Sequence, residues 1–132
     1  MGLVADIATR LAAGGFGTLG TNLFIGYLPD QPDVAMAVYG QPGVAPISAM
    51  GEAVGAIVLE RPNVQILCRG VSFPAVETAI LATIPCLEAI CEEVVGGKTY
   101  HGVWANQSYP AAWRDDNNRV VMSLNFRIIK GG

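Results

Sequence analysis

The sequence predicts an α+β fold, in which helices pack on one face of a mixed, mostly antiparallel sheet. Helical periodicity is confined to two segments, and the remaining apolar segments mostly alternate with the period of a strand. The segments follow the order helix, three strands, helix and two strands, with a single strand–helix–strand connection. A length of 132 residues suits one domain, over residues 1–132.

The first helix is predicted over Leu3–Ala13, because its apolar residues recur at the spacing of one helix face. Gly14 and Gly15 end it. The run G-F-G-T-L-G at Gly15–Gly20 satisfies the dinucleotide-binding pattern GxGxxG. That pattern binds a pyrophosphate when it follows a strand and opens a helix, whereas here it follows a helix and precedes a strand. We therefore interpret it as a connector.

Three strands are predicted after the connector. They cover Asn22–Leu28, which Pro29 ends, then Asp33–Tyr39, and then Asn63–Arg69. Between the second and third strands, Gln41–Gly55 is rich in Gly, Pro and Ala and has no clear periodicity. We predict a loop there, acting as a contact arm rather than as a lid.

The second helix is predicted over Phe73–Val95, with Pro74 in its first turn and a broad apolar face. Pro85 is expected to kink this helix or to split it into two short ones. Glu92 and Glu93 are adjacent on it and do not face each other, so we expect both in water.

Two strands joined as a long hairpin are predicted to complete the chain, over Lys98–Gln107 and Val120–Lys130. The sequence D-D-N-N within Arg114–Arg119 predicts the turn before the last strand. One alternating set of that strand is uniformly apolar and is expected in the core: Val120, Met122, Leu124, Phe126 and Ile128.

The composition indicates a subunit of an assembly. Hydrophobic residues make up 52% of the chain and charged residues 14%, and so short a chain cannot bury that much apolar surface within itself. The formal net charge of −3 argues against a nucleic-acid-binding surface, which is usually basic. No segment reaches the roughly 18–20 apolar residues of a membrane span. No secretory signal is visible either, so synthesis in the cytoplasm is expected.

No catalytic or metal-binding pattern is present, so we expect neither enzyme activity nor a cofactor. The single histidine, His101, lies in mid-strand without a nucleophile motif and is interpreted as an ordinary strand residue. Cys68, Cys86 and Cys91 lack zinc-site spacing and are interpreted as small buried residues in a reducing compartment. The D-D-N-N turn lacks the further ligands of a calcium-binding loop.

An aromatic segment before the turn is the strongest candidate for a contact surface. Tyr109 and Trp113 are large aromatic residues with polar tips, which often anchor interfaces. Arg114 can pair with a carboxylate across an interface, and Asp115 and Asp116 add charge in a chain that is otherwise poor in it. These five residues are the predicted interface. The alternative is that Trp113 folds back onto its own sheet while the acidic turn stays in water.

Several motifs together resemble a known family. L-F-I-G-Y-L-P-D at Leu23–Asp30, A-V-Y-G at Ala37–Gly40 and E-R-P-N-V-Q-I-L-C-R-G at Glu60–Gly70 are similar to the tail-terminator (tail-completion, minor capsid) proteins of long-tailed bacteriophages. The similarity continues through a helix and a strand to the Q-x-P-like stretch Gln107–Pro110. It then includes the acidic–Asn–x–Arg turn Asp116–Arg119 and the final strand.

The resemblance implies a structural virion protein without enzyme activity. Such subunits form a hexameric ring that caps the head-proximal end of the tail tube, ends tube polymerisation and joins the tail to the head. The implied partners are further copies of the chain, the major tail tube protein and a head–tail connector or stopper protein. The implied location is the neck region of the virion tail, after assembly in the host cytoplasm. DNA would pass through the lumen without specific binding, because an acidic lumen repels it.

Three alternatives stay open at this point. The first is another phage ring subunit, from head completion or the tail tube. The second is a cytosolic homo-oligomeric domain that binds a small ligand between sheet and helices. The third is an enzyme that uses His101 with a carboxylate.

Overall fold

The fold is given by a computed structural model that describes residues 2–48 and 57–131. Within these residues, two helices and seven strands follow one another along the chain. The elements are α1 (Leu3–Ala13), β1 (Leu23–Ile25), β2 (Ala35–Ser48), β3 (Ile57–Gly70), α2 (Phe73–Glu88), β4 (Cys91–Val95), β5 (Lys98–Ala105), β6 (Ala111–Arg114) and β7 (Val120–Gly131).

The strands form one mixed sheet in the order β1-β2-β3-β7-β5-β4. Only β1 and β2 run parallel, and the other described pairs are antiparallel. One side of β7 pairs with β3 from its first to its last residues. The other side pairs with β6 near the start of β7 and with β5 near its end. The predicted α+β class with a mostly antiparallel sheet is confirmed.

Both helices pack on the same face of this sheet. The core set predicted in the last strand is confirmed, because each of its members is buried in the main apolar cluster. From the helices, this cluster receives Ile7, Ala8 and Leu11 of α1 and Val76, Ile80 and Leu87 of α2.

A buried hydrogen bond ties α1 to β5. The Tyr100 hydroxyl donates to Oδ2 of Asp6 at 2.8 Å, and the two residues are 1% and 2% exposed. Burial raises the pKa of the Tyr100 phenol, and the hydrogen bond to Asp6 raises it further. Gly96 closes over the carboxylate, since a Cβ added there would lie 2.4 Å from Oδ1 of Asp6.

The second helix is shorter than predicted. It ends at Glu88, with Pro85 in its last turn, and Cys91–Val95 form the edge strand β4. The prediction was wrong because Gly96 and Gly97 form the two-residue loop of a hairpin rather than a helix stop. Both have positive φ, 59° and 82°, as a tight hairpin turn requires. Pro85 therefore lies near the helix end and does not split it.

The two glutamates assigned to the second helix consequently lie on β4. Glu93 forms an ion pair with Arg10 of α1. Glu92 contacts His101 across the β4–β5 pair. Their assignment to a helix was wrong, because Cys91–Val95 form a strand, whereas the expected exposure to water is confirmed for Glu92, whose side chain is 66% exposed, and is only partial for Glu93.

The second and third strands are longer than predicted. β2 and β3 form one hairpin, so the loop prediction is wrong over Gln41–Ser48, and the rest of the predicted loop lies outside the described residues. Pro42 and Pro46 made the sequence of this strand resemble that of a loop. They are tolerated because β1 pairs with β2 only as far as Val38, which leaves an open edge, and because the register shifts along this stretch.

The boundaries of the remaining strands differ by a few residues. β1 covers only the centre of the predicted Asn22–Leu28, and β5 ends at Ala105 rather than Gln107. β7 matches its predicted start and runs antiparallel to β5, as predicted. The short strand β6 was not predicted, because four residues carry too little pattern.

The cysteines occupy three different environments. Cys68 is buried, Cys86 is half-buried and Cys91 is exposed. The interpretation of all three as buried was therefore wrong for Cys91, which lies on the edge strand β4 rather than on a helix face.

Candidate interface at the hairpin end

The predicted interface residues lie together at one end of the sheet. Here the start of β7 pairs with both β6 and the end of β3, through Val120 opposite Arg114 and Gly70. The helix α2 begins at Phe73, three residues after Gly70, the last residue of β3. We call this end, with β6 and the β6–β7 turn, the hairpin end.

Two predicted anchors are half-exposed at the hairpin end. Tyr109 is 50% exposed and Trp113 is 46% exposed. With Phe73 and Arg114, Trp113 lines a surface groove of about 130 Å³. Phe73, also exposed, was missed by sequence reasoning. The sequence feature that could have identified it is its position as an aromatic residue before Pro74, outside the apolar face of the helix.

Two more exposed apolar residues extend this surface. Val34 and Val71 are 64% and 67% exposed, and both line a groove of about 190 Å³ beside α2. The groove is lined mainly by apolar atoms, including those of Cys68, Ala75 and Ala79. A neighbouring cavity of about 200 Å³ shares Val34, Cys68 and Ala79 with it, so the two are adjacent.

Tyr109 is held against α2. Its hydroxyl donates to the carboxylate of Glu77, one turn after Phe73. This hydrogen bond raises the pKa of the Tyr109 phenol. The ring is thereby fixed on the same surface as Phe73 and Trp113.

The acidic turn is partly engaged within its own chain. The Asp115 carboxylate accepts hydrogen bonds from Nε of Arg119 at 2.8 Å and from the backbone N–H groups of Asn117 and Arg119. Burial opposes ionisation of Asp115, but the Arg119 contacts outweigh it and lower the pKa of the carboxyl. Arg114 donates to the Asn118 carbonyl at 2.9 Å, and both Arg114 and Asp116 are exposed.

Arg119 also binds the loop between β1 and β2. This arginine is only 7% exposed and contacts the carboxylates of Asp30 at 2.8 Å and Asp33 at 3.2 Å. Buried Arg69 of β3 donates to two backbone carbonyls of the same loop, those of Pro32 and Asp33. Two arginines that the sequence analysis named only within family motifs therefore hold this loop against the hairpin end.

The single histidine lies elsewhere, in the β4–β5 pair. Its Nδ1 is 3.0 Å from Oε2 of Glu92. The backbone of Glu92 has a positive φ of 49°, and the pairing of β5 with β7 shifts register between Tyr100 and Gly102. A histidine–carboxylate pair therefore exists, on an exposed part of the surface. Across residues 2–48 and 57–131, no three His, Cys, Asp or Glu side chains are placed to hold a metal ion.

A family model described as "Bacteriophage tail terminator protein" matches residues 10–130, from the last turns of α1 to the end of β7. The chain belongs to this family. The resemblance noted in the sequence is thus confirmed. As a tail terminator, the protein is a structural component of a phage tail. The matched range includes Tyr109, Trp113 and the pinning residue Arg119.

Solved structures share this fold. A chain in "Virion of native gene transfer agent (GTA) particle" is 20% identical, with a TM-score of 0.68, and covers 98% of this tail terminator and 95% of that chain. A second structure is 18% identical, with a TM-score of 0.50 and coverages of 94% and 91%. No curated protein matches the chain. None of the described helices of the tail terminator is long and apolar enough to cross a membrane.

Proposed function

We propose that this tail terminator forms a hexameric ring that caps the head-proximal end of the tail tube, ends tube polymerisation and joins the tail to the head connector or stopper. The exposed apolar surface of the hairpin end carries the proposal. Soluble monomers rarely expose a contiguous apolar patch of this kind unless it binds a partner. Its exposed members are Val34, Val71, Phe73, Tyr109 and Trp113.

Within this surface, we assign the interface to Tyr109, Trp113, Arg114, Asp115 and Asp116. The two aromatic residues supply contact area. Arg114 and Asp116 are exposed and can form ion pairs with a neighbouring subunit or an adjoining ring. Asp115 contributes indirectly, because its bonds to Arg119 fix the shape of the turn.

The proposal extends to the rest of the assembly. Residues 1–132 act as one domain, the other partners are the major tail tube protein and further copies of the chain, and the chain works without catalysis. DNA passes through the lumen without specific binding, which the net charge of −3 favours. The subunit joins the virion tail after synthesis in the host cytoplasm.

The alternative of a small-ligand-binding domain has less support. The two adjacent cavities beside α2 measure about 200 and 190 Å³, each below the roughly 300–1,000 Å³ of ligand pockets. A larger space of about 350 Å³ near Glu88 and Ala105 is an open depression rather than an enclosed pocket.

Replacing Arg114 and Asp116 together by Ala tests the interface. We expect overlong tubes or tails without heads, while the melting temperature of the isolated subunit stays unchanged. A matched control replaces Arg127 and Glu92, exposed charges away from the hairpin end, by Ala. Normal particle yield from the Arg114/Asp116 variant would show that the hairpin is only a turn.

Electron microscopy of the particle tests the ring itself. A single six-fold layer of this chain at the head-proximal end of the tube is expected. Many stacked layers would make the chain a tube subunit instead. His101→Ala particles should assemble normally, and a loss of assembly with the fold intact would contradict a purely structural role.

A further inference from the structure

The face of the sheet that the helices leave open carries a band of polar side chains. Because side chains alternate between the two faces of a strand, every second residue of β2, β3 and β7 lies on this open face. Its polar members form two neighbouring rows across the strands, with Tyr39, Gln65 and Asn125 in one row and Gln41, Asn63 and Arg127 in the other. Trp104 of β5 lies opposite Arg127. We call these seven residues the polar face.

Carboxylates are nearly absent from the strands that form this face. Within their described residues, β2, β3, β5 and β7 contain one, Glu60, which binds Lys130 at 2.8 Å. Glu60 and Lys130 alternate with the core residues Val64 and Phe126 and lie on the side of the helices. The other described acidic residues lie in the helices, β4, the β1–β2 loop and the β6–β7 turn. The net charge of −3 is therefore not carried by the polar face.

The acidic residues of the β1–β2 loop lie at the hairpin end. Asp30 and Asp33 are paired there with Arg119, at 2.8 and 3.2 Å, and the Asp33 carbonyl accepts a hydrogen bond from Arg69. Arg69 and Gln65 are four residues apart along β3, about 13 Å at 3.3 Å per residue. These carboxylates are thus both neutralised and distant from the polar face.

Arg127 is held in place on this face. Its Cζ lies 5.4 Å from the centroid of the Trp104 ring. The ring in turn lies over Gly102, since a Cβ added there would be 2.3 Å from Cη2 of Trp104. An arginine stacked on an aromatic ring keeps its N–H groups available for an anion. Arg127 is exposed, and no described carboxylate forms an ion pair with it.

This chemistry matches the phosphate backbone of DNA. Arginine, asparagine, glutamine and tyrosine side chains are common hydrogen-bond partners of phosphate and sugar oxygens, and such contacts read no base sequence. A sheet face that merely meets water is polar too. In a chain with 11 acidic and 8 basic residues, however, exposure to water gives no reason to exclude the acidic ones from one face. A phosphate partner does, because carboxylates would repel it.

We propose that the polar face lines the lumen of the ring and contacts the phosphate backbone of double-stranded DNA, with Arg127 as its cation. The inference rests on the proposed ring and names the face of each subunit that meets the DNA. Contacts to phosphate alone let DNA slide. Passage without specific binding then follows from weak, sequence-independent contacts at this face, while the acidic groups lie elsewhere on the subunit.

NMR of the ¹⁵N-labelled full chain, titrated with a short DNA duplex at low salt, tests the surface. The side-chain amide signals of Asn63 and Gln65 and the indole signal of Trp104 should shift, whereas the signals of α1 and α2 should not. Duplexes of two unrelated sequences should give the same shifts. Added salt should reverse them, because the binding depends on released counterions.

Three variants with the same change in net charge locate the contact. Arg127→Gln and Gln65→Glu should each weaken duplex binding several-fold. Thr78→Glu is the matched control, because Thr78 is exposed on α2, and it should leave binding unchanged. Arg127→Lys keeps the charge without the planar stacking on Trp104 and should give an intermediate affinity. The melting temperature of each variant checks that the fold is retained.

The outcomes separate the inference from the proposed ring. Shifts confined to the polar face, and weakened only by its own variants, support the contact. Absent shifts at low salt, shifts centred on the helices or equal weakening by Thr78→Glu would overturn it. In the particle, a six-fold layer whose channel is lined by the helices overturns the inference and leaves the ring intact. Particles that contain no ring of this chain overturn both the proposed function and the lumen position.

Discussion

Replacing Tyr100 by Phe tests whether the buried bond to Asp6 stabilises the fold. The aromatic ring is fully buried and Phe preserves its packing, so the change removes only the hydroxyl that donates to Asp6 at 2.8 Å. Oδ1 of Asp6 already lacks a hydrogen-bond partner, and Tyr100→Phe also leaves Oδ2 without this donor. A buried carboxylate without donors is destabilising.

The expected loss is about 2.5 kcal/mol, because hydrogen bonds to charged groups contribute about 1.5–3 kcal/mol. At about 2.1 cal/mol/K of unfolding entropy per residue, a chain of 132 residues would lose roughly 9 °C in melting temperature. Urea unfolding at pH 7, followed by far-UV circular dichroism, measures the free energy of unfolding directly.

A double-mutant cycle provides the control. Asp6→Asn keeps an acceptor for the tyrosine hydroxyl and removes the buried charge. In that background, Tyr100→Phe should cost only about 1 kcal/mol, the value of a neutral hydrogen bond. The reasoning would be refuted by a loss below 0.5 kcal/mol in the wild-type background, which is roughly the error of such cycles. Equal losses in both backgrounds would also refute it.

Three further predictions concern the same region and the helix end. Gly96→Ala should lower the free energy of unfolding by about 2 kcal/mol or more, because Gly96 has a positive φ and an added Cβ would clash with Asp6. Gly97 also has a positive φ but no close contact, so Gly97→Ala should lower it by only about 1 kcal/mol. Because the folded state raises the pKa of Tyr100 above 10.0, its contribution to stability is complete below pH 10 and is lost as the pH rises further. Alkaline unfolding should therefore be weaker in Tyr100→Phe. Pro85→Ala restores a backbone donor in the last turn of α2, so it should raise the free energy of unfolding by about 1 kcal/mol. A decrease would mean that the proline is needed to end the helix.

The sequence predicted elements well wherever one face is uniformly apolar. The bounds of α1 and the core face of β7 follow from periods of 3.6 and two, because burial on one side imposes those patterns. The same logic predicted the fold class, since the order of the elements admits few ways of covering the sheet.

The errors arose where local signals have two structural meanings. Gly96–Gly97 ends a helix as readily as it turns a hairpin, and only pairing with β5 decides between them. Pro42 and Pro46 read as loop residues, although an open sheet edge tolerates them. Such choices depend on long-range contacts that no local window contains.

The candidate interface was only half accessible from the sequence. Tyr109 and Trp113 were identified because aromatic residues beside a turn are unusual. Phe73 and Val71 come from a different part of the chain, and the topology alone brings them to the same end. Arg119 was named only as part of a turn motif, and its role was missed because its partners, the carboxylates of the β1–β2 loop, are distant in sequence.

These buried arginines bear on how the hairpin end can bind. A surface made of loops must be ordered when it binds, and each ordered side chain or loop reduces affinity. Here the β1–β2 loop is already fixed by Arg69 and Arg119, and Tyr109 is fixed by Glu77. The β1–β2 loop and Tyr109 are therefore held in place before any partner arrives. A preorganised surface of this kind suits the ring closure that we propose at the end of a finished tube, because closure would then not wait for slow ordering of the subunit.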